Sequence, residues 1–215
     1  MLMRFIPIVF AVVFLTACTD ISDRRSVVTT TETTVTTATF IEELGEVYRT
    51  YSFTAEDEAF LNQAVFAGDK YVSGLADLGL VQNVIVDNEF NKITPLINSG
   101  SENIVLMFGS STELNDYIAY IKSIRAFVPE ANIIVVSAVP VLGDNSEIDE
   151  YNSALEQAIV DLRDGCVYFV DVGGELKNTF GELKSLYVSE VHAITEKGYH
   201  AVLWQLCSFT RFRVF

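Results

Sequence analysis

At 215 residues, half of them hydrophobic and one fifth charged, the chain has enough apolar material for one globular domain plus an appendage. Its formal net charge of −15 sets up a field that repels DNA and RNA, and it rules out adhesion to anionic lipid through a basic patch.

The first eighteen residues, M-L-M-R-F-I-P-I-V-F-A-V-V-F-L-T-A-C, carry one positive charge at Arg4 and then an apolar run over residues 5–17. That run is shorter than the roughly 20 residues a spanning helix needs, so it reads as a secretion signal. Its end, Leu15-Thr16-Ala17-Cys18, resembles the bacterial lipobox. The resemblance implies cleavage before Cys18, lipidation of the Cys18 thiol and residence on the extracytoplasmic face of a bacterial cell membrane. An ordinary signal peptide with a chance cysteine is the competing reading. The small residues before Cys18 and the polar Thr19-Asp20 after it favour the lipoprotein.

Residues 26–39, S-V-V-T-T-T-E-T-T-V-T-T-A-T, lack helix and turn signals and read as an extended, solvated tether. The expected organisation is therefore a signal over 1–17, a lipidated cysteine with its tether over 18–45, and a globular domain over 46–215.

Within the domain, Thr54 with Asp57 three residues on forms a capping-box pattern for a first helix. Short runs rich in Val and Ile follow at 64–67, 84–86, 104–108, 133–139 and 167–172. They largely lack alternation, as expected of parallel strands covered on both faces. Helical stripes lie between them. Leu114, Tyr117, Ile118, Ile121 and Val128 form one. Ile148, Tyr151, Leu155, Ile159 and Leu162 form another, opened by Ser146-x-x-Asp149. This order predicts a three-layer α/β/α domain with a five-stranded parallel sheet and right-handed crossovers. Ligands of such sheets sit at the carboxyl ends of the strands, which directs attention to 68–70, 87–88, 109–111, 140–145 and 188–195.

Those loops carry a family resemblance. Gly68-Asp69-Lys70-Tyr71-Val72-Ser73-Gly74 resembles the first block of the SGNH (GDSL-type) hydrolases, G-D-S-x-x-x-G. The run from Val191 to Tyr199 resembles the family's last block, which places the catalytic histidine before the final helix. I-V-L-M-F-G-S-S-T stands where the third block would, and residues 132–155 resemble the fourth strand and its helix. The resemblance spans about 62–206 and implies the family's flavodoxin-like fold.

It also identifies the departures. Lys70 occupies the position of the nucleophilic serine. Asp87 and Asn88 stand where the second block has an oxyanion-binding glycine. Ser111 and Thr112 replace the third block's Asn and Asp. Ser189 holds the place of the triad acid, with Glu190 beside it. His192 alone among the catalytic side chains matches. An ammonium is no nucleophile until deprotonated, and loss of one oxyanion donor costs on the order of 10²–10³ in rate.

The expectation is a degenerate hydrolase serving as a binding or scaffold module at the cell envelope. Lys70, Asp69, Asp87, Asn88 and Glu190 are its candidate ligand-binding residues, for a cell-wall glycan, peptide or acyl group. The alternative is an active esterase with a displaced site around His192, through a Ser73–Lys70 dyad or through Ser110 or Ser111. For those two serines a simpler role is to cap the helix starting near Glu113.

No His/Cys/carboxylate spacing suggests a metal or cofactor. Cys166, opening the fifth strand, and Cys207, ending the last helix, should reach the same edge and are a candidate disulfide. The apolar end, residues 208–215, is expected to add a strand or pack under the sheet.

Overall fold

The computed structural model describes residues 39–43 and 46–212, with side chains from Arg49 onward. The signal, Cys18 and most of the threonine-rich stretch lie outside them. The chain divides after Thr50 into two compact units. In the first, β1 (Thr39–Glu43) pairs antiparallel with β2 (Glu46–Thr50), Thr39 opposite Thr50 and Glu43 opposite Glu46. Their Thr, Val, Ile, Phe and Tyr content suits strands. This hairpin crosses the boundary between tether and domain expected at residue 45.

The second unit alternates strands and helices. Helix α1 (Ala55–Gln63) precedes β3 (Val65–Gly68), α2 (Lys70–Asp77), β4 (Asn83–Val86), α3 (Ile93–Ser99), β5 (Asn103–Met107) and α4 (Leu114–Phe127). Then come β6 (Asn132–Val136), α5 (Ser146–Leu162), β7 (Val167–Val170), the short α6 (Gly173–Leu176) and α7 (Glu196–Arg211). Strands β4-β3-β5-β6-β7 form one parallel sheet in that order. This is the flavodoxin-like doubly wound arrangement, with its switch point between β3 and β5.

The pleat explains why the strand runs need no alternation. Phe66, Val105, Met107, Ile134, Val136 and Val170 pack beneath α1, α2 and α7. Their neighbours Val65, Ala67, Ile104, Leu106, Ile133, Val135 and Val167 pack beneath α3, α4 and α5. Both faces are covered, so after the asparagines that open β4, β5 and β6 the central strand positions are apolar.

Thr54 and Asp57 form the expected capping box on α1, each side chain taking the other's backbone N–H. Two other local expectations fail. Asn145, not a Ser146–Asp149 box, precedes α5, because Ser146 bonds Asp144 and Asp149 pairs with Lys177. Helix α4 starts after Glu113 with no side-chain cap, so Ser110 and Ser111 do not cap it. For the apolar end, residues 208–211 complete the last turn of α7 and form no strand, while Phe209 packs against the core and the Tyr168 ring, as the second expected alternative has it.

Cys166 and Cys207 are both free thiols. Cys207 is buried in the core and feels Asp57 and Arg211, whereas Cys166 sits by Asp164 and Arg125. The two ends share an edge, but the side chains enter different surroundings, so the disulfide is absent. Among the described residues no helix is long and apolar enough to cross a membrane.

Candidate functional site

The switch point is built on a backbone contact that only glycine permits. A Cβ on Gly68 would stand 1.8 Å from the Met107 carbonyl oxygen, so β3 and β5 leave the sheet pressed together. Asp69 follows, and its carboxylate spans both loops. Oδ1 accepts from the Tyr71 N–H at 3.1 Å and caps α2; Oδ2 accepts from the Gly109 N–H at 2.9 Å. Each oxygen is held by the main chain, so Asp69 acts as a strut between the first and third loops.

Lys70 opens α2 and is exposed; its Nζ lies 5.3 Å from the centroid of the Tyr71 ring. Among the described residues it forms no ion pair, so it is not neutralised by Asp69, Asp87 or Glu190. Ser111 is exposed on the neighbouring loop, its Oγ 4.0 Å from where a Cβ on Gly109 would sit. The loop is turned by the Thr112 N–H donating to the Gly109 carbonyl. Asp69, Lys70, Gly109 and Ser111 thus share one corner, as the order of the blocks predicts. Ser73 faces back along its own helix, where its hydroxyl lies 3.5 Å from the Asp69 carbonyl.

The loop from β4 is organised by Asp87. Its side chain is fully buried and accepts from the N–H groups of Glu89, Asn91 and Lys92 and from the Tyr120 hydroxyl. Burial alone would raise its pKa; these four donors outweigh that and hold it below the usual carboxylate range. Asp87 therefore shapes the loop, while Asn88 stands exposed at its tip.

Sequence reasoning missed Phe90. Its φ of +53° is a left-handed conformation that bulky residues rarely adopt. Its ring compensates by packing against Phe108, Tyr117 and Tyr120. The D-N-E-F-N run, polar around one aromatic, is the only sequence sign of this plug.

His192 pairs at the other end of α2. Its Nδ1 lies 3.9 Å from Oδ2 of Asp77, the last residue of α2. Lys70 and Asp77 bound an eight-residue helix, so their Cα atoms are about 10 Å apart along its axis. Ser189 does not orient the imidazole either. Its Oγ accepts from the N–H groups of Val191 and of His192 itself, closing the turn that carries the histidine. Glu190 is exposed. The four positions that would form a triad and oxyanion site fall into two groups, Lys70 with Ser111 and Ser189 with His192. General-base catalysis needs hydrogen-bond reach, and the ionic partner the structure gives His192 is Asp77. Among the described residues no group of three metal-ligating side chains converges.

No family model matches the sequence, and no curated protein does. Solved structures do. A Streptococcus pneumonia protein provisionally assigned as a platelet activating factor aligns with a TM-score of 0.54 and 18% identity, over 72% of this chain and 89% of its own. A carbohydrate esterase family 3 member from Talaromyces cellulolyticus gives 0.51 and 12%, over 71% and 97%. The periplasmic domain of a lipopolysaccharide acetyltransferase from Salmonella ser. Paratyphi A gives 0.50 and 14%, over 75% and 90%. Likenesses this distant in sequence speak to architecture. The domain has the three-layer α/β fold of the SGNH, or GDSL-type, hydrolases.

Proposed function

We propose that this protein is a lipid-anchored component of the bacterial cell envelope whose SGNH-fold domain binds a ligand or scaffolds a partner and does not hydrolyse esters. The observation that carries the reading is the pairing of His192 with Asp77, at the opposite end of α2 from position 70. The imidazole pairs with the last residue of α2, position 70 is the first, and the residue there is an amine. Restoring a hydroxyl at one end of α2 would still leave the base at the other.

What supports binding is the chemistry of the remaining corner. Lys70 is an exposed cation without an ion-pair partner among the described residues, in a chain of net charge −15, with exposed Asn88 and Ser111 on the adjoining loops. A carboxylate or phosphate of a cell-wall glycan or peptide meets a positive charge there and hydrogen-bonding groups around it. The N-terminus of α2 adds little, because the Asp69 carboxylate already occupies it.

The test is an assay of the full chain against short-chain nitrophenyl esters and acetylated sugars, beside His192→Ala. Turnover at the level of the uncatalysed blank in both is the expected result. Turnover by the wild type that His192→Ala abolishes would replace this reading with an esterase. Calorimetric titration with solubilised cell-wall fragments completes it, with binding weakened by Lys70→Ser as the expected outcome.

A further inference from the structure

The carboxyl edge of the sheet carries large apolar side chains that the core does not use. Leu142 is 62% exposed and Phe180 is 87% exposed, with Val141 at 43% beside them. They stand on two different loops, 140–145 after β6 and 177–183 after α6, and the two loops are fastened together. The Leu183 N–H donates to the Val141 carbonyl. The buried Asn145 amide accepts from the Val141 N–H and donates to the carbonyls of Val141, Gly143 and Gly181. Asn178 closes the second loop by accepting from the N–H groups of Phe180 and Glu182. These loops are rigid mounts, and they hold Leu142 and Phe180 outward, where water costs each on the order of 1.5–3 kcal/mol relative to an apolar setting. Exposed apolar groups held this firmly mark an interaction surface.

The course of the chain says what covers it. The polypeptide enters the domain at Tyr51, whose hydroxyl donates to Glu175 of α6 at 3.0 Å and whose ring lies against Trp204. Helix α6 leads directly into the loop bearing Phe180, so the point of entry and the apolar tips share the carboxyl edge. If Cys18 is lipidated, the short stretch of sequence between Cys18 and Tyr51 keeps the domain's point of entry close to the membrane that carries the anchor. Confinement of that kind converts weak insertion into an intramolecular event with a high effective concentration.

From this juxtaposition we infer that Leu142 and Phe180 insert into the interface of the membrane that carries the anchor, so that the carboxyl edge of the sheet faces lipid. The inference rests on the lipoprotein reading above. The lipid it fits is zwitterionic: Asp144 and Glu182 flank the tips, and the chain's net charge opposes an anionic surface.

The experiment uses the full lipidated chain, carrying Cys166→Ser, in phosphatidylcholine vesicles recovered by flotation. Spin labels are placed singly at Leu142→Cys, Phe180→Cys and, as a control on the exposed face of α5, Val160→Cys. Collision with oxygen is compared with collision with a water-soluble nickel complex. The expected result is an oxygen-to-nickel ratio several-fold higher at 142 and 180 than at 160. Equal, water-like ratios at all three sites overturn the inference while leaving the anchor in place. Labels at 142 and 180 shielded from both reagents assign the patch to a second copy or another protein and overturn it too. A chain that does not float removes the anchor and this inference together.

Discussion

His192 reaches Asp77 and not Lys70: its Nδ1 stands 3.9 Å from the Asp77 carboxylate at the last residue of α2, while position 70 is the first. Acyl transfer requires the base within about 3 Å of the hydroxyl it activates. Lys70→Ser should therefore recreate the family's first block in sequence without creating an esterase. Nitrophenyl acetate hydrolysis by this variant is expected to match the blank, and a His192-dependent rate would show that the loop from 188 to 194 swings the imidazole to the other end of the helix.

Asp87 governs the loop that would face a ligand. Its carboxylate takes three backbone N–H groups and the Tyr120 hydroxyl inside the domain. Asp87→Asn keeps the shape but loses the charge, and an amide cannot accept at all four contacts. A loss of about 2–3 kcal/mol is expected from charged hydrogen bonds of this kind. The pH dependence has a definite sign. The folded carboxyl is held below its unfolded value, so its contribution is complete above the unfolded pKa of about 4 and disappears as pH falls through the lower folded one. Acid unfolding followed by circular dichroism should be shallower in Asp87→Asn than in the wild type over that range.

These two cases show how far the sequence could be read. Strand runs without alternation and helical stripes announce a covered parallel sheet, because burial on both faces is an average over many residues and survives local error. The meeting of Asp69 with Gly109 follows from block order, since adjacent parallel strands bring their following loops together. The direction of one side chain has no such averaging. His192 is turned toward Asp77 by a loop whose turn Ser189 closes with the histidine's own N–H, and a serine three residues before a histidine looks the same whether it orients the ring or the backbone. Asp87 likewise reads as an exposed loop carboxylate until its N–H partners at 89, 91 and 92 are seen to wrap around it. The hairpin of β1 and β2 escaped because its strands, T-F-I-E-E and E-V-Y-R-T, are short and straddle the boundary at 45 drawn from the threonine-rich stretch before them.

The two described cysteines should differ sharply in reactivity. Burial pushes the Cys207 thiol up to about 12, the nearby Asp57 charge adding to it, so almost none of it is thiolate near neutrality. Cys166 is half-buried at the start of β7. With an aromatic disulfide reagent at pH 8, the native protein without Cys18 is expected to release one equivalent rapidly, from Cys166, and a second only on unfolding. Absence of both equivalents under oxidising conditions, restored by reductant, would mean that the thiols are linked.

Gly74 matches the glycine that closes the family's first block, and the structure gives the reason for its size. A Cβ there would fall 2.0 Å from the hydroxyl oxygen and 2.6 Å from Cζ of Tyr199, a fully buried ring on α7. Gly74→Ala gains up to about 1 kcal/mol of helix propensity. Overpacking against a ring with no room to retreat costs about 1–3 kcal/mol. The clash should win, with a net loss of about 1–2 kcal/mol in urea unfolding. Adding Tyr199→Phe removes only the more distal of the two atoms, so Cζ still collides and the double variant should recover part of the loss and not all of it. A neutral or stabilised Gly74→Ala would mean that α2 and α7 can move apart, and with them the two ends that separate Lys70 from His192.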